Sequence, residues 1–210
     1  MHDQDMLLMA NTYPGPALTY TAHLLDVIGA RQGIYGDPLY TLHRVLAHHK
    51  PVSSLEGQLM DEDVDPRDRE AIFHRALVYA VFPGGYGWDD SARTEMVRPL
   101  YRKYGPALRA LAEAGWEPVT HARAAGGRLR VERFGSYPEL FFSAHNESQE
   151  LVETHLALAG EALALPPEGI EVTEVISGRR LPARGSGSNW ELDISLPPGE
   201  TAALAVRPCS

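Results

Sequence analysis

"YRKYGPALRALAEAGWEPVTHARAAGGRLRVERFG", residues 101–135, changes its period in the middle, and that change divides the chain. Leu100, Tyr104, Ala107, Leu108 and Leu111 recur on one helical face, with a kink expected at Gly105-Pro106 and a stop at Gly115. Beyond Gly126-Gly127 the spacing falls to two: Leu129 and Val131; Val152, Thr154, Leu156 and Leu158; Trp190, Leu192 and Ile194; Ala202, Leu204 and Val206. The turn-like stretches "GSYP", "SGRR", "GSGSN" and "PPGE" separate these runs, so this part reads as an antiparallel β-sandwich of roughly 80 residues. Trp116 to Pro118 is the seam, which sets the expected domains at 1–118 and 125–210.

Ahead of the seam the grammar is α/β. "MLLMA" (6–10) and "HLLDVIG" (23–29) are short apolar runs bounded by turn residues, as buried parallel strands are. Asp37-Pro38 and Asp65-Pro66 each set a capping carboxylate before a proline that suits a first helical turn. Leu39, Leu42, Val45 and Leu46 make one face of the first of these helices, and Ile72, Phe73, Ala76, Leu77 and Ala80 one face of the second. "PVSSLEG" (51–57) between them predicts a third strand.

Composition narrows the function. A formal charge of −9 with scattered arginines excludes a polyanionic partner, so no nucleic acid is expected. No run of about 18 apolar residues occurs, and the acidic start lacks the basic segment of a signal peptide, so neither a membrane span nor a leader is expected and the compartment stays open. The single cysteine, Cys209, allows no internal disulfide. His43, His48 and His49 do not share a helical face at chelating spacing, so no metal and no other cofactor is expected. Asn146-Glu147-Ser148 matches a glycosylation acceptor but reads better as a turn after "LFFSAH".

The order of elements resembles the end of a (β/α)8-barrel (TIM barrel) glycoside hydrolase followed by its C-terminal β-sandwich. The carriers are "MLLMANTYPGP" and "LLDVIGA" as late barrel strands, "LHRVLAHHKPVSSLEG" as a helix leading into a strand, and "RALVYAVFPGGYGW" after it. "LRVERFGSYPELFFSAHNES" and "VTEVISGRRLPARGSGSNWELDISLPPGETAALAV" are similar to the opening and closing strands of such a sandwich. A whole barrel takes about 250 residues, whereas here the resemblance covers only the stretch to residue 118 ahead of the sandwich. The resemblance therefore implies the C-terminal part of a barrel enzyme, expected to be inactive alone, whose partners are a carbohydrate and the missing N-terminal part of the barrel. A non-catalytic carbohydrate-binding or structural accessory module is the alternative.

Barrel enzymes work at the C-terminal ends of their strands, and glycosidases use two carboxylates across one bond. On that basis Asp26, an acid inside an apolar run, and Glu56, directly after "PVSSL", are the candidate catalytic residues. Tyr86 and Trp88 offer flat faces for sugar rings, and Asp89, Asn11 and His23 offer hydrogen bonds at the same rim.

Overall fold

The computed structural model describes residues 7–12, 16–31, 37–84 and 91–209. The chain forms two compact units, Met1–Leu108 and Arg109–Ser210. This division falls ahead of the seam expected at Trp116 to Pro118, inside the long helix described next.

The first unit alternates strand and helix: β1 (Met9–Thr12), α1 (Pro16–Thr21), β2 (Val27–Arg31), α2 (Asp37–Ala47), β3 (Val52–Leu55), α3 (Pro66–Tyr79), β4 (Val81–Gly84), then α4 (Ser91–Ala114). The strands form one parallel sheet in the order β1-β2-β3-β4, so four strands stand where three were expected. β4 escapes a sequence reading because α3 runs straight into it through Ala80, a single left-handed residue at φ 49°. At the other end of α3 Asp65 is the N-cap, its Oδ1 accepting from the Arg67 N–H at 2.8 Å, and Pro66 takes the first helical position, where its missing N–H leaves no bond unmade.

Among the described residues one face of this sheet is buried and the other only partly so. Ile28, Ala30, Val52 and Val81 form a core with Tyr40 and Ala47 of α2 and Val78 and Tyr79 of α3. The alternate residues Val27, Ser53, Leu55 and Phe82 are only half-buried, and Met9 is exposed. Parallel sheets of soluble proteins are usually covered on both faces, because their strands carry apolar residues on both.

α2 buries a different stripe from the apolar one. Tyr40, His43, Arg44 and Ala47 are inside, while Leu42 and Val45 are exposed. The buried stripe has partners the sequence does not display: Tyr40 reaches Glu56, and Arg44 Nη2 donates to the Lys50 carbonyl at 2.7 Å. Burial lowers the Arg44 guanidinium to about 10, still protonated at neutral pH. The faces expected of α3 and α4 fare better, with Phe73, Ala76, Leu77 and Ala80, and Tyr104, Ala107, Leu108 and Leu111, all buried.

The second unit is antiparallel. Its strands are β5 (Trp116–Glu117), β6 (Ala122–Ala124), β7 (Leu129–Ser136), β8 (Glu139–Asn146), β9 (Val152–Ala159), β10 (Ile170–Glu174), β11 (Arg180–Leu181), β12 (Ala183–Ser186), β13 (Asn189–Leu196) and β14 (Thr201–Pro208). They form a six-stranded sheet, β11-β10-β14-β8-β7-β5, and a four-stranded sheet, β12-β13-β9-β6. Phe142 and Leu204 from the first and Leu156 and Leu192 from the second share one core. β13 alternates buried and exposed residues along its whole length, the signature of a strand with one wet face.

Candidate functional site

At the C-terminal ends of the parallel strands Arg31, Leu55 and Gly84 are level in the ladder, with Thr12 and Asn11 one and two residues short of them. Glu56 follows β3 at this edge, and its N–H donates to the Gly84 carbonyl at 2.7 Å. Its carboxylate does not face the open side of the sheet. It is buried, and its Oε1 accepts from the Tyr40 hydroxyl of α2. The Tyr40 ring in turn stacks on Tyr79, with centroids 5.3 Å apart. Burial, then the Glu56 carboxylate, push the Tyr40 phenol far above its ordinary value, so it stays a proton donor. Glu56 is thus held in the helix layer by a neutral phenol.

Asp26 lies at the other end. It precedes β2, its N–H donates to the Leu8 carbonyl at 2.8 Å, and its Oδ2 accepts from the Leu8 N–H at 2.8 Å. The ladder sets Ile28 beside Val52, so Asp26 and Glu56 are six residues apart along the strand direction, roughly 20 Å at the rise of a β-strand. Paired carboxylates of glycosidases stand roughly 5–9.5 Å apart. The expectation that Asp26 and Glu56 flank one bond is therefore corrected: one caps the start of β2, the other anchors α2.

His23 is exposed in the short 3-10 turn Ala22–Leu24, at the same end as Asp26. Its carbonyl and that of Ala22 accept from Lys50 Nζ at 3.1 and 2.9 Å. It is therefore away from the rim expected for it. Asn11 has its backbone at the C-terminal end of β1, but its side chain lies outside the described residues. Tyr86, Trp88 and Asp89 lie outside them altogether, and directly follow β4 in sequence. Among the described residues no group of three or more His, Cys, Asp or Glu gathers as for a metal ion.

In the second unit a groove of about 530 Å³ runs past His155, Arg179, Arg180 and Asp193. His155 and Asp193 face each other across β9 and β13, and Asp193 joins the His155 ring to the Arg184 guanidinium. Its lining holds no Phe, Tyr or Trp, the large flat faces on which a sugar ring stacks best. Asn146 of the acceptor tripeptide is buried. Its Nδ2 donates to the Glu150 and Leu196 carbonyls at 2.7 and 2.8 Å, and its Oδ1 accepts from the Ser148 N–H at 2.9 Å, forming the expected turn.

One parallel sheet, half-buried on its second face among the described residues, and two antiparallel sheets are the geometry to compare with known proteins. The chain is similar to an α-amylase from Anoxybacillus, with 15% identity and a TM-score of 0.60 over 99% of this chain and 53% of that one. It is likewise similar to an α-amylase from Geobacillus thermoleovorans solved with acarbose, with 13% identity and a TM-score of 0.59 over 99% and 55%. A GH30 endoxylanase from Clostridium papyrosolvens matches with 10% identity and a TM-score of 0.52 over 99% and 57%. The chain has a glycoside hydrolase-related fold, and it spans little more than half the length of these three enzymes. No family model matches it, and no curated protein does. No helix among the described residues is long and apolar enough to cross a membrane.

Proposed function

We propose that residues 1–118 are the C-terminal part of a (β/α)8 catalytic barrel and residues 125–210 its trailing β-sandwich, and that the whole enzyme hydrolyses glycosidic bonds of a carbohydrate. The observation that carries this reading is the half-buried second face of the parallel sheet. Val27, Leu55 and Phe82 are apolar yet only half-buried there, and in a closed barrel this face is the packed interior. The likeness to two α-amylases and an endoxylanase over 99% of the chain supports it.

By this reading the chain alone does not turn over a glycoside. Four of eight strand ends are present, the Glu56 carboxylate is engaged in the helix layer, and Asp26 is at the wrong end of its strand. The missing N-terminal part of the barrel would supply the other carboxylates.

The test is a panel of starch, xylan and aryl glycosides, with calorimetric titration of maltotriose, xylotriose and acarbose into the pure 210-residue chain. We expect no turnover and weak, millimolar-range binding of at least one sugar at the strand ends. Turnover lost in Glu56→Gln would overturn the incomplete site. Absence of binding to every sugar would overturn the carbohydrate reading.

A further inference from the structure

In the second unit a groove of about 430 Å³ lies between the last turns of α4 and the β7–β8 hairpin. Ala110, Glu113 and Ala114, at i, i+3 and i+4 on one helical face, make one wall, and Pro138, Glu139 and Phe141 make the other. Backbone holds the two walls together. The Gly135 N–H donates to the Gly115 carbonyl at 2.6 Å, and a Cβ added at Gly135 would stand 3.0 Å from that of Ala114. The groove is therefore preformed, and its volume is in the range of small-molecule sites.

Its chemistry follows from the alternation of β8 and β14. Leu140 and Val206 pair in the ladder and belong to the core, so Glu139, Phe141, Ala205 and Arg207 take the opposite face. Phe141 is half-buried, and its cross-strand neighbour Ala205 sets only a methyl beside it. One step further along the ladder Glu139 and Arg207 stand opposite each other, both exposed. Neither side chain has a hydrogen bond or ion pair among the described residues. In the groove past His155, by contrast, Asp193 is engaged by His155 and Arg184, and Arg180 by Glu171.

We propose that the Phe141 groove is a carbohydrate subsite: one pyranose ring of a neutral oligosaccharide lies against Phe141, its hydroxyls donating to the Glu139 carboxylate and accepting from the Arg207 guanidinium. An aromatic face suits the C–H face of a sugar ring, and a free acceptor and a free donor beside it suit the hydroxyls at its edge. A phosphate or other anion fits less well, because two carboxylates, Glu113 and Glu139, stand there against one guanidinium. The ligand class rests on the carbohydrate reading as well as on this chemistry, but the groove lies in the second unit alone and needs no barrel.

Amide NMR of the whole 210-residue chain, titrated with maltotriose and separately with xylotriose, tests it. Saturable shifts are expected at Ala114, Phe141 and Arg207, with millimolar-range affinity. Phe141→Ala should weaken that affinity about three- to tenfold. Should that variant lose its fold, the double variant Glu139→Ala, Arg207→Ala, changed only at two exposed side chains, decides: a groove affinity lowered at least about threefold supports the subsite, and an unchanged one overturns it. No groove shift with either sugar up to roughly 50 mM, or shifts that both variants leave intact, also overturns the proposal. Shifts confined to Leu55 and Gly84 would sink this inference alone and keep the reading of the strand ends, whereas shifts at neither place would sink both.

Discussion

The Tyr40 hydroxyl donates to Oε1 of Glu56, tying the first turn of α2 to the residue that follows β3. A buried carboxylate needs such a donor, since stripping it of water without one is costly. Tyr40→Phe removes the donor and keeps the stack on Tyr79, and is expected to lower stability by about 1.5–3 kcal/mol in urea unfolding. An unchanged midpoint would mean that the carboxylate finds another partner.

Alkaline pH should unfold the protein through its tyrosines. Burial pushes Tyr101 and Tyr104 up to about 12 and Tyr40 further, so the folded state holds these phenols neutral where the unfolded state, near 10, ionises them. Their folded values are raised, so the contribution is full below about pH 10 and is lost as pH climbs from there towards about 12. Phenolate absorbance should show at least three of the described tyrosines, Tyr40, Tyr101 and Tyr104, lagging until the fold is lost.

Gly135 should admit no side chain. At φ +70° its added Cβ would lie 2.2 Å from the Glu139 carbonyl oxygen and 3.0 Å from the Ala114 Cβ. Its N–H also donates to the Gly115 carbonyl at 2.6 Å, which holds the backbone in place. Gly135→Ala is expected to lower stability by at least about 2 kcal/mol, read from the thermal midpoint.

Asn146 organises the turn between β8 and β9 and reaches the end of β13. Its Asn146→Ala variant leaves the Leu196 and Glu150 carbonyls without their donor, and a loss of about 2–3 kcal/mol is expected by urea titration. Ser148→Ala, which removes only a hydroxyl at the edge of the same turn, should cost less.

The switch from α/β to all-β is legible in the sequence, because period and turn chemistry are local. Gly115 sits at φ 84° beyond α4, its N–H on the Leu111 carbonyl, and the runs at Leu129, Val152, Trp190 and Ala202 are all strands. The sequence also placed the Asp65 cap and the Asn146 turn, both of which rest on contacts within a few residues. What it could not determine was which way a side chain faces when its partner is far along the chain. α2 offered an apolar stripe at Leu42 and Val45, yet it buries Tyr40 and Arg44, because Glu56 and the Lys50 carbonyl lie beneath them in the folded sheet. Asp26, inside an apolar run, and Glu56, directly after one, were the two candidate acids. Strand direction and register, set by long-range parallel pairing, placed them at opposite ends of the ladder. Periodicity is written in the chain, but the direction a strand runs and the neighbour it meets are fixed only when distant backbone groups pair.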